Sequence, residues 1–161
     1  MRRDKEHTRD ELRLMAARYC AANETCRQQA RQKLTGWGAT HDEADEIADW
    51  LQTEGYINEE RYAKTYAESK VRYQHWGRKK IEYQLRSKGI DNAIIQQALR
   101  DIDEKIYLQA LADTATAKAR TMHDESDEQR NKMISFLTSR GFEYELIITT
   151  LDNMTISKNE I

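Results

Sequence analysis

The segment Leu85-Arg86-Ser87-Lys88-Gly89-Ile90 ends an amphipathic stretch on a glycine and passes the chain to an apolar residue. The same arrangement stands at Leu34-x3-Gly38-Ala39 and Leu137-x3-Gly141-Phe142, with the leucines 51 and 52 residues apart. Glycine is the residue that most readily takes the left-handed turn just past a helix end. After each glycine comes a second amphipathic helix. Its apolar residues are Ala44, Ile47, Ala48 and Leu51 in the first copy, Ile94, Ile95, Ala98 and Leu99 in the second, and Leu146, Ile147 and Leu151 in the third. A longer helix follows the first two copies, with Tyr62, Tyr66 and Tyr73 as one apolar stripe and Ile106, Ala110, Leu111 and Ala117 as the other. The repeat predicts an all-α chain of tandem small three-helix bundles. The reading divides it into an N-terminal helix over 1–24, repeats over 25–75 and 76–122, and a truncated repeat over 123–161. A unit this small buries little core alone, so neighbouring units must share one, which predicts an elongated, curved body.

Composition agrees. The 161 residues include no proline, where average usage would give roughly eight. Proline breaks helix interiors and punctuates loops, so its absence suits helices joined by short turns. The apolar period is near 3.6 almost throughout, and strand-like alternation is missing. Helices are expected over about 8–23, 25–36, 41–54, 58–75, 78–88, 91–101, 104–122, 127–140 and 143–155. Four candidate capping boxes mark starts: Thr8 with Glu11, Thr25 with Gln28, Thr40 with Glu43, and Ser126 with Gln129.

Several function classes fall away. No run approaches the roughly 20 apolar residues of a membrane helix. No apolar stretch follows the basic start Arg2, Arg3, Lys5, so no secretory signal is expected. Cys20 and Cys26 form no metal-ligand pair with the four scattered histidines, His7, His41, His75 and His123, and read as reduced thiols of a cytoplasmic protein. Glycine-rich phosphate loops and His-Glu-x-x-His are absent, so neither an enzyme, a metal site nor a cofactor is expected. The carboxylates over 41–60 and the run Asp124, Glu125, Asp127, Glu128 read as solvated acidic faces.

The informative feature is charge segregation. The net charge of −2 is a cancellation. Residues 41–60 hold eight acids and no Lys or Arg, whereas 61–88 hold nine basic residues against two acids, a local charge of +7. The basic residues are Arg61, Lys64, Lys70, Arg72, Arg78, Lys79, Lys80, Arg86 and Lys88, interleaved with Tyr73, Trp76 and Tyr83. Cations with aromatics suit a phosphate backbone, exposed bases or an acidic protein groove. The two tyrosines read equally well as core residues. Trp76-Gly77 sits between two units, with Gly77 turning the chain and Trp76 either a buried wedge or part of an interface.

Residues 55–90 resemble the RecX family, bacterial regulators of the RecA recombinase. The likeness lies in Gly55-Tyr56-Ile57-Asn58-Glu59-Glu60-Arg61-Tyr62-Ala63, then Tyr66, Lys70, Arg72 and Gly77, then Ile81, Leu85 and Lys88-Gly89-Ile90. Arg140-Gly141-Phe142 with Leu146 and Ile147 is similar to the family's third repeat. Tyr62 stands where phenylalanine is usual, and Gly36-Trp37-Gly38 where a basic residue before the glycine is commoner. The resemblance implies tandem three-helix repeats lying in the groove of the RecA–single-strand DNA filament, opposing recombination, ATP hydrolysis and the coprotease activity of the damage response. It places RecA and DNA contacts on Arg61, Lys64, Lys70, Arg72, Trp76, Arg78, Lys79, Lys80, Arg86 and Lys88, and suits a monomer. Two other readings remain from the residues alone: a helical module binding single strands without RecA, and an adaptor for another acidic protein.

Overall fold

The computed structural model describes residues 6–124 and 126–159, with side chains described as far as residue 155. Arg2, Arg3, Lys5 and Glu125 of the sequence reading lie outside the described residues. Nine α-helices and no strand occur among those described. They are α1 (Arg9–Ala22), α2 (Arg27–Gly36), α3 (His41–Thr53), α4 (Glu59–Ser69), α5 (Arg78–Ser87), α6 (Asn92–Arg100), α7 (Glu104–Ala119), α8 (Asp127–Ser139) and α9 (Tyr144–Asn159), with a π-helical turn at Lys70–Gln74 extending α4.

The repeated leucine–glycine signature is one C-terminal cap used three times. Ala39, Ile90 and Phe142 donate their N–H groups to the carbonyls of Leu34, Leu85 and Leu137 at 2.9, 3.2 and 3.3 Å. The glycines before them donate to Thr35, Arg86 and Thr138 and sit at φ +99, +76 and +97°. This is the Schellman arrangement, and its accompanying apolar contact is present as well: each leucine and the residue after its glycine are buried. Starts are less uniform. Thr40 and Glu43 form a full capping box, whereas Thr8 and Ser126 each cap without the reciprocal bond. Thr25 does not cap; its hydroxyl turns back to the Asn23 carbonyl and Cys26 takes the N-cap position.

Packing groups the helices as α1–α3, α4–α6 and α7–α9. The period of the sequence reading holds, but its phase shifts by one helix. The helix it placed last in a repeat opens the next bundle, and the N-terminal helix belongs to the first. A 51-residue period alone fits any of three phases; only contact between helices chooses.

Two cores result. Leu12, Leu34, Ile47, Leu51 and Ile57 lie in the first, inside unit one. The second runs unbroken through units two and three, from Tyr62, Ile81 and Leu85 to Tyr107, Leu137 and Phe142. Unit one reaches it with Cys26, which is fully buried there. Beside that peg, Arg61 Nε donates to both carboxylate oxygens of Glu24 at 3.0 Å. The acids of α3 are not merely solvated. Arg9 pairs with Glu46, Arg27 with Asp49, and Arg31 with Asp45, so arginines of α1 and α2 neutralise much of the row.

Units two and three meet backbone to backbone. Gly77 donates its N–H to the Arg140 carbonyl at 2.8 Å, and Lys79 donates to the Gly141 carbonyl at 3.0 Å. A Cβ on Gly77 would lie 2.2 Å from the Gly141 carbonyl carbon, and one on Gly141 would lie 2.5 Å from the Lys80 nitrogen. Gly77 has an ordinary φ of −80°. It is glycine for want of space and not, as the sequence suggested, for a special turn. Arg78 closes the joint. Its backbone N–H donates to the Tyr107 hydroxyl at 3.0 Å. Its guanidinium donates to Glu143 at 2.9 Å and Glu104 at 2.8 Å, above the Tyr107 ring. The Tyr107 hydroxyl donates to Glu143 in turn.

Three outcomes are expected. Gly77→Ala should cost about 3 kcal/mol, as overpacking against backbone does, whereas Gly36→Ala, with nothing within 4 Å of the new Cβ, should be neutral or stabilising by up to about 1 kcal/mol. Urea unfolding measures both. Arg78→Met should cost about 2 kcal/mol by leaving two carboxylates facing each other, against under about 0.5 kcal/mol for Lys79→Met. At the joint of units one and two, burial raises the Glu59 carboxyl from its usual 4.5, with Arg27 opposing. The folded state then holds that proton more tightly than the unfolded chain, so this contribution is lost as pH rises from 4.5 towards neutrality. Glu59→Gln should therefore gain stability at pH 7 relative to the native chain and lose that advantage near pH 4, read from unfolding midpoints.

Candidate functional site

The basic segment occupies the end of α4, the π turn and α5. The π turn changes which side chains face inward. Its i→i+5 bonding buries Val71 and leaves Tyr73 79% exposed, so Tyr73 is not part of the apolar stripe that begins with Tyr62 and Tyr66. The turn ends at His75, whose φ of +53° is the left-handed conformation. The Trp76 N–H returns to the Lys70 carbonyl at 3.1 Å. This reversal lays Trp76 against Tyr66, with ring centres 6.5 Å apart.

Three lysines converge on that ring pair. Lys70 Nζ lies 4.6 Å from the Trp76 ring centre and 5.2 Å from that of Tyr66. Lys80 Nζ lies 4.6 Å from Trp76, and Lys88 Nζ 5.7 Å from Tyr66. All three are half-buried, as are both rings. Each ammonium gains from the electron-rich ring face, but none reaches a carboxylate at ion-pair distance among the described residues.

The ten predicted residues sort by chemistry. Arg61, Arg78 and Arg86 are engaged inside the molecule: with Glu24, with Glu104 and Glu143, and with Glu82 and Asn92. The planar guanidinium fits carboxylates in pairs, which is why arginines carry the internal joints. Lys64, Lys70, Arg72, Lys79, Lys80 and Lys88 have no carboxylate partner among the described residues. Lys70, Lys80, Lys88 and Trp76 are brought together. Lys64 stands apart with Arg61 on the groove between α4 and α6 that Ile94 and Gln97 complete. Arg72 and Lys79 project into solvent.

Local rules are broken here. Arg78, Lys79 and Lys80 crowd the first turn of α5, the positive end of its dipole, where acids are favoured. The carbonyls of Arg140 and Gly141, just past the end of α8, offset part of this by accepting the N–H groups of Gly77 and Lys79. Tyr83 is 71% exposed, so it too stays out of the core. Sequence reasoning passed over Tyr66 as a ring of the site. Its signal was the spacing to Lys70, four residues on and so adjacent on a helix surface.

No helix among the described residues is long and apolar enough to cross a membrane. No group of three or more His, Cys, Asp or Glu among them is placed to hold a metal ion.

Comparison with known proteins follows the same lines. A family model described as the second three-helix domain of RecX matches residues 58–99, and one for the third three-helix domain matches residues 105–151. These spans coincide with the second and third bundles as packed. The regulatory protein RecX of Prosthecochloris aestuarii is 29% identical over 136 residues, covering 84% of this chain and 88% of the relative. That of Clostridium botulinum is 30% identical over 123 residues, covering 74% of this chain and 57% of a longer relative. The crystal structure of RecX from Lactobacillus salivarius superposes with a TM-score of 0.81 at 26% identity, over 92% of this chain and 97% of that one. A second RecX crystal structure, at 19% identity and a TM-score of 0.78, shares the fold. With two of its three bundles matched by domains of one family, in order and at the boundaries the packing sets, the chain belongs to the RecX family of regulatory proteins.

Proposed function

We propose that this chain regulates RecA by binding the RecA–single-strand DNA filament in its helical groove and inhibiting recombinase, ATPase and coprotease activity. The observation that carries this reading is the set of cations that α4, the π turn and α5 leave without partners. A chain of near-neutral charge has settled its arginine pairs internally and kept six basic residues over 64–88 unspent. A groove that combines protein with phosphates attracts such a surface, and the attraction is sensitive to salt. Bundles in series suit a helical groove, because modest contacts on successive subunits add through avidity. Family membership supports the choice of partner.

The direct test titrates this protein into RecA hydrolysing ATP on single-stranded DNA. Inhibition is expected, weakening as salt rises. The variant Lys70→Glu, Lys79→Glu, Lys80→Glu should inhibit at least tenfold less well while keeping its helical circular dichroism. It leaves Arg78 intact, since reversing that residue would open the joint between units two and three. Undiminished inhibition by the folded variant would overturn this choice of surface.

A further inference from the structure

One kind of joint is built twice in this chain, and each time it has two halves. The first half is the start of a unit's middle helix, at Cys26 before α2 and at Gly77 before α5, neither capped by a side chain. The second half is the next unit's glycine cap with a tyrosine of its first helix. Gly141 and Tyr107 receive α5 through the N–H groups of Lys79 and Arg78. Gly89 and Tyr62 receive α2: the Gln28 amide nitrogen lies 4.0 Å from where a Gly89 Cβ would stand, and the Tyr62 hydroxyl meets the Cys26 thiol. A third instance of each half is left over. Among the described residues, no cap receives the start of α8 at Ser126. The cap at Gly38 receives no helix start, and a Cβ there would have nothing within 4 Å.

The outer units of a repeat ordinarily turn polar faces outward. Here a cavity of about 440 Å³ opens beside Ser126, lined by Met122, Met133, Leu151 and Met154. Methionine sulfur packs well against aromatic rings. The residue before the leftover glycine is a half-buried Trp37, where the two internal caps carry Lys88 and Arg140. Charge matches as well. Asp127 and Glu128 open α8 at the positions that Arg78 and Lys79 hold in α5. Lys33 lines a groove with Gly36 and Trp37 and has no carboxylate partner among the described residues. We propose that the start of α8 docks on the Gly38 cap of a second copy of this chain, with Trp37 against the methionine-lined cavity, so that copies associate head to tail. The acids of α8 then face Lys33, whereas the internal cap at Gly141 would oppose them with Glu143. Two different faces meet, so every pair of copies keeps one of each free, and the series does not close at two.

Sedimentation velocity of the full chain, without RecA or DNA, reads the association. The mean mass should rise with protein concentration, pass that of a dimer, and rise less as salt screens the charge pairs. Trp37→Ala blocks one face and Met154→Glu the other, and each should weaken association at least tenfold. Mixed in equal amounts, the two variants keep one intact interface between them and should form a pair that grows no further. Should either fail to fold by circular dichroism, exposed charges give a second route. Lys33→Glu alone, and Asp127→Lys with Glu128→Lys, should each weaken association, and mixing these two proteins should restore it. A chain that stays monomeric up to about 1 mM overturns the proposal and leaves the cavity to a different partner. A dimer that closes at two overturns it as well, as do pairs of complementary variants that remain monomeric when mixed.

Discussion

Where α5 begins, the N–H groups of Gly77 and Lys79 face the carbonyls of Arg140 and Gly141 just past α8, and the two closest residues, Gly77 and Gly141, carry no Cβ. Helix ends leave such groups without internal partners, and here two ends from different bundles satisfy each other. The approach requires Gly77 and Gly141 together, since a side-chain carbon on either would collide with main-chain atoms. Much else depends on this joint. It lets one core run through units two and three. It sets Arg78 between Glu104 and Glu143, and it fixes the turn that delivers Trp76 and Lys80 to the same place. The joint to unit one is slighter, resting on Cys26 in the shared core and on Glu24 with Arg61.

The two joints explain how a chain of net charge −2 comes to carry a concentrated positive surface. Arg9, Arg27, Arg31, Arg61 and Arg78 sit at the boundaries between helices and units, each paired with at least one carboxylate. Within the basic segment the lysines are left over, and three of them, Lys70, Lys80 and Lys88, settle on aromatic rings. Exposed ion pairs contribute little stability, so the pairing matters more for what it leaves unpaired. Asp45, Glu46 and Asp49 of α3 are occupied by arginines of α1 and α2 and are therefore unavailable to neutralise the basic segment.

The repeat was legible because each second helix ends on the same cap, and that cap needs a glycine at one fixed position with buried residues on either side. Helix starts were less legible. Thr25 offers the residue types of a capping box, but its hydroxyl has a nearer acceptor in the Asn23 carbonyl. The phase of the repeat, the reason for Gly77 and the sorting of the arginines all depend on residues far away in sequence: Gly77 on Gly141, Arg61 on Glu24, Arg78 on Glu143. The π turn left no trace in the pattern, because Tyr62, Tyr66 and Tyr73 continue a helical stripe until one wider turn rotates Tyr73 outward. The segregation of charge was legible as well: the +7 stretch, read as the candidate site, contains the lysines that gather on Tyr66 and Trp76.

A RecX-family chain built this way presents a small, rigidly placed group of lysines beside free aromatic faces, carried by the joint between its second and third bundles. The measurement that bears most directly on the account is lysine acetylation footprinting of this protein bound to RecA–single-strand DNA filaments, compared with the free protein. The account requires Lys70, Lys80 and Lys88 to be protected on binding, while Lys105 and Lys132 react as before. Protection confined to lysines outside the cluster, with Lys70, Lys80 and Lys88 as reactive as in the free chain, would contradict it.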